Sequence, residues 1–279
     1  MEREGAPTSP ILLVDGDIIR YRCAFAAEKT KYLVIGSHEG FNIRAEVDTK
    51  KEADAVEGDV VVWSRKEVRP VEFALQCTKT TLEALVERFS PSDVKVYLSG
   101  PGNFRELVAR TKPYKGTRAE AKPRHFNAVG EYLIKEWGAE SVRGIEADDA
   151  IGIGLTSAPG QAISVSIDKD LDQVPGWHYN WVTSELYNVS RRDADFALYT
   201  QILAGDTTDN IPGVPGIGEK KAREILEGSK NSEELRERTW ATYKDRGLSR
   251  EYFLEQATLV YILRTENDDW VLNLESAVS

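Results

Sequence analysis

Two short apolar runs that each stop in paired acids constrain this chain more than any other feature. Ile11–Val14 runs into Asp15-Gly16-Asp17, and Gln161–Ile167 runs into Asp168-Lys169-Asp170. Short apolar runs bounded by turn residues read as buried strands. Val94–Leu98 is a third such run. Helical patterns lie between them, over Ile18–Ala27, Thr80–Phe89, His125–Trp137 and Glu146–Thr156. The Thr80–Phe89 helix is expected to start at Thr80, because Thr80 and Glu83 have capping-box spacing. Strands alternating with helices predict an α/β fold with a mainly parallel sheet flanked by helices. In such sheets ligands bind beyond the carboxyl ends of the strands, where Asp15, Asp168 and Asp170 stand.

Three β-rich pieces, Tyr32–Ile35, Phe41–Val47 and Asp59–Val68, predict a hairpin insertion over about residues 32–70. Beyond Arg191 the pattern turns helical, over Asp193–Ala204, Glu219–Leu226, Glu233–Lys244 and Arg250–Arg264.

Four acidic groups follow from this layout: Asp15 with Asp17, Glu146 with Asp148 and Asp149, Asp168 with Asp170, and Asp206 with Asp209. Asp168 and Asp170 are two apart, so in extended chain they face one way. Glu146 and Asp149 are three apart at a helix start, where the helix dipole favours ionised acids. Clustered carboxylates repel one another and need cations. An all-oxygen donor set suits Mg²⁺ or Mn²⁺, and two such ions promote phosphodiester hydrolysis. Asp17 and Asp172 are expected to be solvated turn acids. Two cysteines and three histidines, none in zinc-ligand spacing, argue against His- or Cys-based zinc chemistry.

The net charge of −10 argues against nucleic acid when taken alone. The distribution reverses that inference. Arg105, Arg110, Lys112, Lys115, Arg118, Lys122 and Arg124 face only Glu106 and Glu120 in the same stretch. Arg105 is expected to contact DNA phosphate, Tyr114 to stack a base of single-stranded DNA, and Lys115 and Arg118 to offset charge on a scissile phosphate. In Gly205-Asp-Thr-Thr-Asp-Asn-Ile-Pro-Gly213-Val-Pro-Gly216-Ile-Gly218-Glu-Lys220-Lys221 a glycine turn leads into a new helix. Its amide groups, with Lys220 and Lys221, form an anion site that grips a DNA backbone without reading bases. No apolar run approaches membrane-spanning length, and Met1–Pro10 holds no signal-peptide core. The expectation is an intracellular, cytoplasmic monomer without membrane contact.

This set of motifs resembles the 5′-nuclease superfamily: flap endonucleases, bacteriophage 5′–3′ exonucleases and the 5′-nuclease domain of DNA polymerase I. The residues that carry the resemblance are Leu13-Val-Asp15-Gly, Tyr114-Lys-Gly-Thr-Arg118, Gly144-Ile-Glu146-Ala-Asp148-Asp149, Ser166-Ile-Asp168-Lys-Asp170 and the Gly205–Gly218 segment, in the family's order. The resemblance implies a PIN-like core over residues 11–190, with a helical arch at about 105–125. It implies a helix-three-turn-helix DNA-binding part over 191–279. It also implies one metal site at Asp15, Glu146, Asp148 and Asp149, and another at Asp168, Asp170, Asp206 and Asp209. K⁺ would sit at the turn of Gly213, Gly216 and Gly218, and the substrate would be duplex DNA with a 5′ end or flap. One departure stands out. The family's acid at the end of the second strand is absent, its slot falling at Leu98, Ser99 or Gly100, although Phe104-Arg105 follows as usual. The implied activity is metal-dependent 5′–3′ exonuclease or flap endonuclease cleavage. The alternatives are a non-catalytic DNA-binding relative or a PIN-type ribonuclease.

Overall fold

Hydrophobic burial on both faces of a central strand organises the fold. A computed structural model describes residues 5–117 and 122–278, so Arg118 lies outside the described residues. In chain order the elements begin with β1 (Ile11–Asp15), α1 (Gly16–Ala26), β2 (Glu28–His38), β3 (Phe41–Val47), α2 (Lys50–Asp54) and β4 (Asp59–Val68). Then come α3 (Val71–Phe89), β5 (Asp93–Ser99), α4 (Phe104–Val108), α5 (Phe126–Trp137), β6 (Glu140–Val142), α6 (Ala147–Ser157) and β7 (Ala162–Val165). A 3₁₀ turn (Lys169–Gln173) leads to β8 (Gly176–Asn180) and β9 (Glu185–Val189). The last elements are α7 (Arg191–Ala204), α8 (Glu219–Leu226), α9 (Ser232–Asp245), α10 (Arg250–Val260) and α11 (Trp270–Ala277).

Among the described residues one sheet has the order β6-β5-β1-β7-β8-β9, parallel except for the β8–β9 pair. This is the expected α/β class. Strand β1 lies between β5 and β7, so Leu12, Leu13 and Val14 are fully or almost fully buried. Each such side chain contributes roughly 1.5–3 kcal/mol of burial. Strands β8 and β9 were not expected from the sequence. Helix α3 begins at Val71, nine residues before the expected Thr80 start and directly after Pro70, a residue pre-set for a helix N-terminus. Thr80 is interior to it.

The described residues form two compact units. One takes those within 1–18, 85–120 and 134–279; the other takes those within 19–84 and 121–133. The second unit holds the insertion. This is not a single hairpin but a three-stranded antiparallel sheet in the order β3-β2-β4, with α2 between β3 and β4. The α2 turn is fixed by a reciprocal Thr49–Glu52 cap, and the Arg20 guanidinium stacks on the Phe126 ring at 3.6 Å.

Among the described residues of the first unit, two clusters of buried side chains matter for the site. Leu13, Tyr97, Ile151, Leu155 and Leu171 pack beside the sheet, and Leu198, Ile202, Tyr243, Phe253 and Ala257 pack among the C-terminal helices. The C-terminal helices thus have their own core within the same compact unit as the sheet. Helix α10 stops at Val260 instead of reaching Arg264. The segment after it runs extended because Ile262 and Leu263 donate their amides to Gln173 and Asp149. No described helix is long and apolar enough to cross a membrane.

Candidate metal and nucleic-acid site

The acids gather at the carboxyl ends of β1 and β7 and at the start of α6, all within the first unit. Asp15 closes β1 and is 2% exposed. Its Oδ1 accepts the Ile18 amide at 3.1 Å, so it also caps α1, and its Oδ2 accepts the Ser166 hydroxyl at 2.8 Å. The β1–α1 turn needs Gly16, since a Cβ there would lie 2.6 Å from the Tyr97 carbonyl. Burial, reinforced by the charges of Asp17 and Asp168, pushes the Asp15 carboxyl up to about 7.

Asp148 faces the same space. Burial, then Asp15, Asp168 and Glu146, hold its carboxyl well above the usual carboxylate range. Asp168 and Asp170 do not face one way along an extended strand as expected. The strand ends at Val165, and Asp168 caps the 3₁₀ turn by accepting the Asp170 amide at 3.0 Å. Burial raises both carboxyls, that of Asp170 up to about 7, with the charges of Asp206 and Asp209 adding to each.

Asp206 organises its own loop by accepting the Thr208 amide at 2.7 Å. The loop is closed by paired amide bonds between Asp206 and Ile211. Gly205 (φ 70°) and Gly213 (φ 58°) lie back to back, and a Cβ on Gly213 would meet the Gly205 nitrogen at 2.4 Å. Gly213 is therefore a structural glycine, buried and bonded to Gln256 and Tyr252, and not the open DNA contact expected. Gly216 and Gly218 are exposed with open space at their Cβ positions, and Gly218 caps α8, which carries exposed Lys220 and Lys221. An open cleft of about 690 Å³ is lined by Lys115, Asp148, Asp168, Asp170, Asp206 and Asp209, and also by Gly218, Glu219 and Arg223.

Two expected site residues have turned inward. Asp149 is fully buried, and both its oxygens bind the Arg105 guanidinium, at 2.7 and 2.8 Å. It also accepts the amides of Glu146 and Leu263. Arg105, expected to meet DNA, is 3% exposed; it also donates to the Leu259 and Tyr261 carbonyls and stands 3.6 Å from Glu146. The pair is a buried clamp between α4, α6 and the end of α10. Glu255, which no motif marks, holds the next segment by accepting the Arg110 and Thr111 amides, each at 2.7 Å.

Tyr114 is half-buried. Its hydroxyl lies 2.7 Å from Glu146 Oε2 and 2.9 Å from Asp209 Oδ2, where the expectation was an open ring for base stacking. Lys115 pairs with Glu146 and stands 3.7 Å from Asp209. Of the expected arch, Phe104–Val108 is helical.

The slot of the missing strand-end acid is filled by polar contacts. Ser99 Oγ accepts the Ala147 amide at 3.0 Å, and the Ser99 amide donates to Asp17 Oδ2 at 2.9 Å. Asp17 is thus not a solvated turn acid. Nor is Asp172, which accepts the Tyr187 hydroxyl at 2.7 Å.

The donor set suits divalent cations: oxygen ligands that are partly desolvated and mutually repelling. As the side chains stand, no three described acids close on one point, and Lys115 and Tyr114 sit between Glu146 and Asp209.

These raised acids set a pH dependence. Between the ordinary value of 3.8 and about 7, the folded, metal-free chain keeps protons on Asp15 and Asp170 that the unfolded chain has released. Their stabilising contribution is complete below the ordinary value and is lost as pH rises through about 7. In EDTA, the Tm of Asp170→Asn should therefore gain on wild type as pH rises across this window. Parallel Tm curves would show that Asp170 is not raised.

Known proteins share parts of this sequence and its fold. Residues 196–277 match the family model of the 5′-3′ exonuclease C-terminal SAM fold. The chain is 33% identical over 158 residues to DNA polymerase I of Pseudomonas aeruginosa, covering 50% of this chain and 17% of that protein. It is 31% identical over 163 residues to the flap endonuclease Xni of Shewanella woodyi, covering 51% of this chain and 62% of that protein. The chain thus spans less than two thirds of either relative's own length. Its fold is similar to that of the bacteriophage T5 flap endonuclease, solved as a pseudo-enzyme-product complex with DNA and metal ions. The TM-score is 0.56 at 17% identity, covering 96% of this chain and 97% of that one. In motif order, in sequence over half its length and in fold, the chain resembles the 5′-nuclease superfamily.

Proposed function

We propose that this chain is a Mg²⁺-dependent DNA 5′-nuclease acting as an exonuclease or flap endonuclease. The observation that carries the proposal is the gathering of Asp15, Asp148, Asp168 and Asp170, whose carboxyls are all raised by desolvation and mutual repulsion. Asp206, Asp209 and Glu146 complete a donor set for two divalent ions, with Mn²⁺ as a substitute. Asp149 serves one shell further out, fixing the start of α6 through Arg105. Bound ions would supply charge neutralisation and an activated water for phosphodiester hydrolysis.

The chain's own residues do the rest. Lys115 offers its ammonium to a phosphate at the cleft, and Arg118, outside the described residues, is its partner in the sequence motif. The Gly216–Gly218 turn presents amides and the N-terminus of α8 to a duplex phosphate, where a K⁺ ion could bridge. Lys220 and Lys221 add charge there. The first part of the chain, to about residue 190, would then be the catalytic core, and the helical remainder the duplex grip of a monomer.

Replacing Lys220 and Lys221 together by Ala should weaken duplex binding for every sequence alike. It should also flatten the slope of log affinity against log salt by up to about 2, if each lysine neutralises one phosphate. An unchanged slope in a filter-binding salt titration would remove α8 from the interface. The activity itself is tested with a 5′-flap DNA and a matched RNA in Mg²⁺. Cutting of the DNA alone supports the proposal, and preferential cutting of the RNA makes the chain a PIN-type ribonuclease.

A further inference from the structure

We propose that Tyr114 and Lys115 form a built-in counter-ion lock, which must leave Glu146 and Asp209 before a divalent ion binds those acids, so that these two residues set the site's metal affinity. The lock presupposes the metal site proposed above and adds what competes for it.

Six contacts place it. The Tyr114 hydroxyl lies 2.7 Å from Glu146 and 2.9 Å from Asp209. The Lys115 ammonium pairs with Glu146 and stands 3.7 Å from Asp209. The Lys115 amide donates to the Asp209 carbonyl at 2.9 Å, and the Asn210 side-chain amide donates to the Pro113 carbonyl at 2.9 Å. The turn is therefore seated by backbone as well as by side chains.

The backbone carries an independent sign of constraint. Lys115 has φ of 55°, in the left-handed region that non-glycine residues occupy when their surroundings impose it. The docked contacts supply that imposition.

Chemistry makes the contacts exclusive. An ammonium and a divalent ion seek the same carboxylate oxygens, and Tyr114 has one hydroxyl proton for two carboxylates. A metal ion that takes Glu146 and Asp209 displaces both donors. Metal binding and release of the 113–116 turn are then one equilibrium. By reciprocity, a DNA phosphate that draws Lys115 away from the acids strengthens metal binding by the same factor by which metal strengthens DNA binding.

The test is calorimetric titration of the DNA-free full chain with Mg²⁺, and separately with Ca²⁺, at fixed ionic strength. Wild type is compared with Lys115→Met and Tyr114→Phe, with circular dichroism in EDTA checking that each is folded. The lock predicts roughly fivefold tighter binding for Lys115→Met and roughly twofold for Tyr114→Phe, the size expected for losing one half-buried ion pair or one hydrogen bond. Equal or weaker binding by both variants overturns the lock while leaving the metal site standing. No binding by any of the three proteins overturns both.

Discussion

Asp148→Asn is expected to cut a 5′-flap DNA at least about 1,000-fold more slowly than wild type, because one member of an interdependent catalytic set is removed. The fold should not suffer. The carboxyl of Asp148 is held far above its ordinary range by burial and by Asp15, Asp168 and Glu146, so the folded chain resists its ionisation. An amide escapes that penalty. In EDTA the variant should therefore be at least as stable as wild type at pH 8, and its advantage should vanish towards pH 4, where wild type also carries a neutral carboxyl. Loss of cutting with retained or raised Tm is the signature of a carboxylate kept for metal. Cutting within about tenfold of wild type would take Asp148 out of the chemistry.

Arg105→Ala is the second large effect, and it falls on stability. The guanidinium and the Asp149 carboxylate are both buried, 3% and 0% exposed, and they satisfy one another twice over. Removing the cation leaves a buried, unpaired carboxylate, along with the Leu259 and Tyr261 carbonyls deprived of their donor. Such losses cost about 3–5 kcal/mol, which urea denaturation reads directly. Arg105→Lys should fall between, keeping a charge but not the two-pronged geometry. The folded fraction of either variant should show the wild-type salt slope in DNA binding, since Arg105 faces no solvent. A shallower slope would return it to the DNA surface.

Much of the site was legible because its signal is local. Asp15 and Asp168 follow apolar runs that could only be buried strands, and the acid-bearing start of α6 and the turn into α8 lie where spacing placed them. What escaped depends on distant partners. Asp149 looks like its neighbours Glu146 and Asp148 until Arg105, 44 residues away, draws it inward. Counting cations over 105–124 registers charge but not burial, so Arg105 passed for a DNA contact. Gly213 reads like Gly216, and only the apposed Gly205 backbone separates them. At Thr80, a capping-box pattern inside a helix imitated a start that Pro70 had already made. Strand β8 was missed because His178 and Asn180 interrupt the apolar pattern. His178 is nonetheless buried, its ring nitrogen bonded to the Val174 carbonyl.

The claim at the centre is that the carboxylate cluster is a divalent-metal nuclease centre served by a duplex grip. It is tested most directly by incubating the wild-type chain with an end-labelled duplex bearing a single-stranded 5′ flap, in Mg²⁺ and in EDTA, with binding and cutting followed in the same samples. Binding in both conditions, with cutting in Mg²⁺ alone, is the predicted result. Tight flap binding with no cutting in Mg²⁺ or Mn²⁺ would contradict it, and would leave the chain a DNA-binding relative in which Ser99 and Asp17 do not replace the missing strand-end acid.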